Sequence, residues 1–254
     1  MRCARQCARD ATRGDPMSSK ATLNLYYNTE VIGRAIEQRR HRELVGGLWD
    51  EIGKLQFDFL RARELTPASR LIDIGCGCLR GGVYFVEFLE PANYYGMDIS
   101  EDLLNAGYDC ELRDRNLQDR LPRVNLIADG EFQFAKFPVT FDVGIAVSLF
   151  THLPSEHVRQ CLSRLAPRMQ RRGALFASFF LVPDDHPPGT PFVRPHGLQS
   201  YDHKDPYHYR FGQIEALCGG LPWRPALIGD WGHPRDQQMV LFRAAAGGTE
   251  AGLA

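Results

Sequence analysis

What the chain lacks narrows its role first. No run of apolar residues is long enough to cross a bilayer, and no apolar segment near the start resembles a secretory leader. There is no cationic excess: 30 Lys and Arg stand against 31 Asp and Glu, a formal net charge of -1. A general grip on nucleic acid needs clustered positive charge, so the balance argues against this class of partner. The seven cysteines have no repeated paired spacing and read as reduced thiols, not as a disulfide framework. No internal repeat occurs. The expectation is a soluble, cytoplasmic protein with neither nucleic acid nor membrane among its partners; a homodimer is compatible with these facts.

At 254 residues the chain is long enough for one well-filled α/β domain, and a second full domain is not expected. Residues 1–20, rich in Arg, Ala and Asp without an apolar stripe, read as a disordered extension. Met17 would serve as well as Met1 for a start, and Asp10 and Asp15 count against an organelle transit peptide. Residues 21–66 read as helical, because Val31, Ile32, Ala35 and Ile36, then Leu44, Leu48, Ile52, Leu55, Phe59 and Leu60, recur at helical spacing. The basic cluster Arg39-Arg40-His41-Arg42 reads as a solvated face. Residues 67–245 carry the strands, and 246–254 is a small, Gly-rich tail expected to fray.

The stretch from Leu71 to Gly82 organises the rest. Strand formers up to Ile74 break into Gly75-Cys76-Gly77-Cys78, and a helix follows from Val83. Such a turn lets backbone touch a ligand, and the N–H groups of the helix start face an anionic or polar group. The dinucleotide fingerprint wants glycine at its first, third and sixth positions. Gly75 and Gly77 satisfy the first two, but Arg80 occupies the sixth. Asp73, at the end of the strand, would repel a pyrophosphate and accept hydrogen bonds from an ammonium. The site therefore suits a ligand with a cationic amino-acid tail. Cys76 and Cys78 read as small residues in a crowded turn, since zinc would need two more ligands nearby.

This Asp-x-Gly-x-Gly pattern resembles motif I of the class I S-adenosylmethionine-dependent methyltransferases. The resemblance continues through Tyr94–Ser100, Asn125–Gly130 and Phe141–Leu153, in order, and spans most of residues 71–243. It implies a Rossmann-like α/β fold: a seven-stranded, mostly parallel sheet with an antiparallel last strand, helices on both faces and an N-terminal helical cap. It implies S-adenosylmethionine as cofactor, held by Asp73, Gly75, Cys76, Gly77 and Arg80 at the turn, Asp98 and Ile99 at the ribose, Asp129 and Gly130 near the adenine, and Ser148. In the cap, Tyr26, Tyr27 and Trp49 either wall the substrate pocket or pack as an ordinary amphipathic layer. Arg80 either forks a carboxylate of cofactor or substrate or is a surface residue. Leu79 departs from the pattern, standing where many members have a third glycine.

Chemistry is expected at the carboxyl ends of the strands. His152 is a candidate base there, because imidazole exchanges protons near neutral pH; it could equally pack the loop before a helix over Ser155–Met169. His233, with Asp230, lies in a polar connection between strands Pro225–Asp230 and Gln238–Arg243, and is the second catalytic candidate. After a strand over Ala174–Val182, the loop from Pro183 to Tyr207 reads as a substrate lid; its His and Asp residues could also build a metal site, a minority reading. The charged segment Glu111–Arg123 reads as a solvated helix end. The function implied is transfer of a methyl group from S-adenosylmethionine to a hydroxyl, or next to a nitrogen, of a small molecule or sugar. A non-catalytic cofactor- or partner-binding domain and an NAD-dependent oxidoreductase are the alternatives. A nucleic-acid methyltransferase is disfavoured by charge and by the missing Asn-Pro-Pro-Tyr type of motif.

Overall fold

The computed structural model describes residues 29–245. The expectations for residues 1–20 and 246–254, and the aromatic pair Tyr26 and Tyr27, lie outside them. Three helices come first, α1 (Thr29–Glu37), α2 (His41–Leu44) and α3 (Trp49–Arg61). The apolar spacing continues through all three, but Gly46 and Gly47 adopt left-handed φ of +89° and +61° and break the run. Then follow β1 (Leu71–Ile74), α4 (Gly82–Phe88), β2 (Tyr94–Asp98), α5 (Glu101–Ala106), β3 (Leu126–Ala128), β4 (Phe141–Ala146), α6 (Ser155–Leu165) and β5 (Met169–Leu181). The chain closes with the short β6 (Phe192–Val193), β7 (Gln199–Ser200) and β8 (His208–Tyr209), then α7 (Phe211–Leu217), β9 (Trp223–Asp230) and β10 (Gln238–Ala244).

The main sheet has the order β3-β2-β1-β4-β5-β10-β9. Its first five strands are parallel, and β10 runs antiparallel to both β5 and β9. An eighth strand, β8, pairs with the end of β5 through Phe180 and Leu181. The seven-strand expectation with an antiparallel last strand holds, and β8 adds to it. Buried on both faces, β1 and β2 expose no residue, which is why they read as continuous apolar runs. One face packs on α3 and α4 through Ile52, Phe59, Leu60, Val83 and Phe85. The other packs on α6 and α7 through Val158, Leu162, Leu165 and Ile214.

Three local readings need correction. The helix expected to reach Met169 ends at Leu165, because Pro167 sits in a 3-10 turn over Ala166–Arg168 and Met169 already starts β5. Glu111 is not solvated: α5 continues through a π-helical turn, Gly107–Leu112, that buries its carboxylate to 3 % exposure. Nor is the basic cluster a purely solvated face. His41 Nε2 lies 2.7 Å from Glu111 Oε1, and Arg42 donates to both carboxylate oxygens at 2.8 and 2.6 Å. Burial pushes the Glu111 carboxyl up, but the bonds from His41 and Arg42 outweigh it and hold it at about 2. An otherwise costly buried charge thus locks α2 onto α5.

Candidate active site

The glycine turn is held by its own backbone. Gly75 and Gly77 take left-handed φ of +73° and +53°, and a Cβ on Gly77 would lie 2.8 Å from Val45 Cγ1. The N–H groups of Gly75 and Cys76 donate to Met97 O at 2.7 and 3.2 Å, Gly77 N–H to Asp98 Oδ2 at 2.8 Å and Leu79 N–H to Cys76 O at 3.0 Å. These bonds engage four N–H groups of the turn, three of them with the end of β2. Leu79 adopts φ +66° without being glycine, its side chain wholly buried. That buried apolar anchor accounts for leucine where a third glycine would remove the strain.

Three carboxylates stand at the ends of β1, β2 and β3. Asp73 is buried and accepts the Tyr94 hydroxyl at 2.8 Å. Burial pushes its carboxyl up to about 7, Asp98 adding to this while Tyr94 and Arg80 oppose it. Asp98 bridges the turn and the next helix, accepting from Gly77 N–H and, at 2.9 Å, from Ser100 N–H. Its carboxyl also lies above the ordinary range, burial outweighing the N–H groups that favour the charge. Asp129 organises its own loop, accepting from Glu131 N–H at 2.7 Å and from Lys136 Nζ at 2.6 Å. Despite some burial, these partners hold its carboxyl below the ordinary range.

A cavity of about 280 Å³ opens between these groups. Asp73, Gly75, Cys76, Gly77 and Arg80, then Asp98 and Ile99, then Asp129 and Gly130, and finally Ser148 all line it, as does His152. Arg80 is no surface residue, being 7 % exposed; its Nη1 donates to Val45 O at 2.8 Å and Gly47 O at 3.2 Å, which ties the turn to the preceding helices. Val45 and Gln56, from those helices, and Phe132, Leu149 and His157 also line the cavity. The sequence carried a hint for Gln56, a polar residue on the stripe of Ile52, Leu60 and Phe59 and itself buried. Val45, Phe132 and Leu149 carry no such signal. Trp49 does not line the cavity, and its ring is covered by the Arg42 guanidinium at 4.8 Å.

At the end of β4, Ser148 N–H donates to Ser178 Oγ at 2.8 Å and its hydroxyl to Gln237 Oε1 at 3.1 Å. His152 Nδ1 lies 2.6 Å from Asp205 Oδ1, a carboxylate supplied by the long loop after β5. That loop is anchored: Tyr207 N–H donates to Thr151 O at 2.6 Å, and β8 follows at once. Beneath it lies a second cavity of about 430 Å³, lined by Glu156, Asp202, His203, Tyr207 and Gln213, with His157 shared between the two. Among the described residues no group of three or more His, Cys, Asp or Glu is placed to hold a metal ion.

His233 stands apart from this arrangement. It does not line the cavity; it is buried and stacked on Trp231 with ring centroids 5.4 Å apart. Burial, with Arg80 and Arg235 adding to it, drives its imidazole down to about 3, so it stays neutral. Asp230 accepts from Gly232 N–H at 2.9 Å, a turn contact.

The cavity's chemistry suits a cation with vicinal hydroxyls and a flat ring: buried carboxylates at the turn and at β2, and apolar walls from Ile74, Met97 and Val147. Residues 72–175 match the family model described as a methyltransferase domain. The fold is that of a magnesium protoporphyrin IX methyltransferase from Synechocystis PCC 6803 with bound SAM, 16% identical over 93% of this chain and 100% of that one, TM-score 0.58. It is also that of SAM-bound CalS10, an amino pentose methyltransferase from Micromonospora echinaspora, 16% identical over 87% and 99%, TM-score 0.57. A putative O-methyltransferase from Nostoc punctiforme PCC 73102 is 13% identical over 80% and 59%, TM-score 0.59. The glycine turn and the acidic strand ends lie within or beside the matched methyltransferase domain, residues 72–175, and on that domain the chain is a methyltransferase-like enzyme with S-adenosylmethionine as its cofactor.

Proposed function

We propose that the enzyme methylates a hydroxyl of a small polar molecule or sugar, with an amine nitrogen as the second choice of acceptor. Asp98 takes the ribose hydroxyls and Asp73 faces the ammonium of the donor; Ile99, Asp129 and Gly130 border the adenine, and Ser148 and Arg80 close the remaining wall. Bound S-adenosylmethionine supplies an electrophilic methyl group, so the chain's own tasks are alignment, exclusion of water and removal of a proton. The last task falls to His152, and the observation that carries the reading is its place on the cavity wall with Nδ1 against a carboxylate. A hydroxyl arrives protonated and needs such a base. The polar second cavity beside it supports a hydrophilic acceptor, since its Asp, Glu, His, Tyr and Gln side chains match a polyol. We place the enzyme in the cytoplasm, in keeping with the five free cysteines among the described residues.

The test is release of S-adenosylhomocysteine across matched panels of hydroxylated and amine acceptors, with wild type and His152→Ala. Turnover of a hydroxylated acceptor, falling about 10²-fold or more in His152→Ala at unchanged donor affinity, is expected. Full turnover in His152→Ala would remove the base from the mechanism.

A further inference from the structure

We propose that Asp205 is the positioning residue of the proton-accepting step, brought to the strand ends by the long loop. The inference rests on the reading of His152 as base and adds the group that fixes its tautomer. An ionised carboxylate is acceptor-only, so a nitrogen 2.6 Å from Asp205 Oδ1 must be the one that carries hydrogen. Nδ1 is therefore the N–H, and the lone pair lies on Nε2 of a ring that lines the donor cavity. In the transfer step the acceptor oxygen bonds the methyl carbon as the carbon–sulfur bond breaks. The bonding pair stays on sulfur, the hydroxyl proton passes to Nε2, and the resulting imidazolium keeps its Nδ1–H on the Asp205 carboxylate.

The bland alternative is that the contact only latches the loop. The loop has latches enough without it. Tyr207 N–H bonds Thr151 O, and Tyr201 N–H bonds Pro206 O at 2.8 Å. Gly189 N–H bonds Asp202 Oδ2 at 2.7 Å, and Arg210 reaches back to Asp184 O at 3.0 Å. Strand pairing of β6 with β7 and of β8 with β5 fixes the rest. The His152 and Asp205 side chains are still 31 % and 25 % exposed, so water competes for their hydrogen bond and its net contribution to stability is small. Tyr207 is bonded to Thr151, the residue before His152, so the loop brings Asp205 to the imidazole in a set register.

The decisive experiment needs no acceptor. In protein labelled with ¹⁵N-histidine and saturated with S-adenosylhomocysteine, two-bond ¹H–¹⁵N spectra report which nitrogen of His152 is protonated. Wild type is expected to show Nδ1–H. Asp205→Asn, whose amide can donate to Nδ1, is expected to show Nε2–H or a mixture, with melting temperature and S-adenosylhomocysteine affinity unchanged; Asp205→Glu restores the wild-type pattern. A wild-type His152 protonated on Nε2, or a spectrum unchanged by Asp205→Asn, overturns the proposal. With an acceptor that is turned over, Asp205→Asn lowers kcat by about tenfold or more at constant donor KM, and lowers it no further in a His152→Ala background. A tautomer switch without any fall in kcat for either variant would sink the base reading while leaving the contact established; a fall for His152→Ala alone would sink the role of Asp205.

Discussion

The glycine-turn end of the cavity and its His152 end are built in different ways. The turn end is a set of backbone N–H groups held by the adjacent strand: Met97 O accepts from Gly75 and Cys76, and the Asp98 carboxylate from Gly77 and Ser100, all of them buried or nearly so. The His152 end depends on side chains, one from the strand end and one from a loop 53 positions further along. A site made of strand ends is preformed and common to the fold, whereas a loop-borne wall can change without disturbing the sheet. The difference fits the proposal that the rigid end binds the donor and the loop-borne end selects the acceptor.

The comparison breaks most sharply if the rigid end loses its central carboxylate. Asp98→Ala removes the proposed ribose acceptor and the partner of the Gly77 and Ser100 N–H groups; donor affinity is expected to fall by about a hundredfold or more, on the order of 3 kcal/mol, as read by calorimetry. His152→Ala, at the other end, leaves that affinity alone.

A smaller effect tests the crowding of the turn. Gly77→Ala places a Cβ against Val45 and demands left-handed φ from an L-residue, at a cost of about 1–2 kcal/mol. Donor affinity drops by about tenfold, and adding Val45→Ala recovers part of it, because the clash is relieved while the strain remains. Recovery of none would mean that Val45 does not press on the turn.

The smallest effect is a dependence on pH. The folded Asp73 carboxyl sits near 7 through burial, above its unfolded value, so folding favours the protonated form. Its contribution to stability is full below the unfolded value, about pH 4, and is lost as pH rises to about 7. Asp73→Asn therefore melts a few degrees above wild type at about pH 8, yet binds the donor several-fold more weakly there, since it offers no charge to the ammonium. At about pH 5.5 wild type is itself mostly protonated at this position and the two proteins bind alike. Parallel pH profiles for the two would contradict the assignment of Asp73 to the ammonium.

How much of this was legible in the sequence follows the same division. The turn and the acidic strand ends were readable because ligand contacts there come from consecutive residues whose spacing is set by strand geometry. Asp205 was not, since nothing in the sequence ties it to His152; only the fold brings the loop back across the strand end. Val45 reaches the cavity for a similar reason, through a glycine break inside what reads as one long helical pattern. Glu111 misled because a run of charged residues looks solvated, and only the tertiary pairing with His41 and Arg42 shows one of them buried. His233 misled in the opposite direction: a polar connection rich in His, Asp and Trp looks chemical, but Trp231 covers the ring and burial keeps it neutral.

The measurement that bears most directly on the central claim is calorimetric titration of the purified protein with S-adenosylmethionine, S-adenosylhomocysteine and NAD. Saturable one-to-one binding of both sulfur ligands and none of NAD is the predicted result, because the buried carboxylates Asp73 and Asp98 beside the turn favour a cation and repel a pyrophosphate. Binding of NAD, or of none of the three, would contradict it.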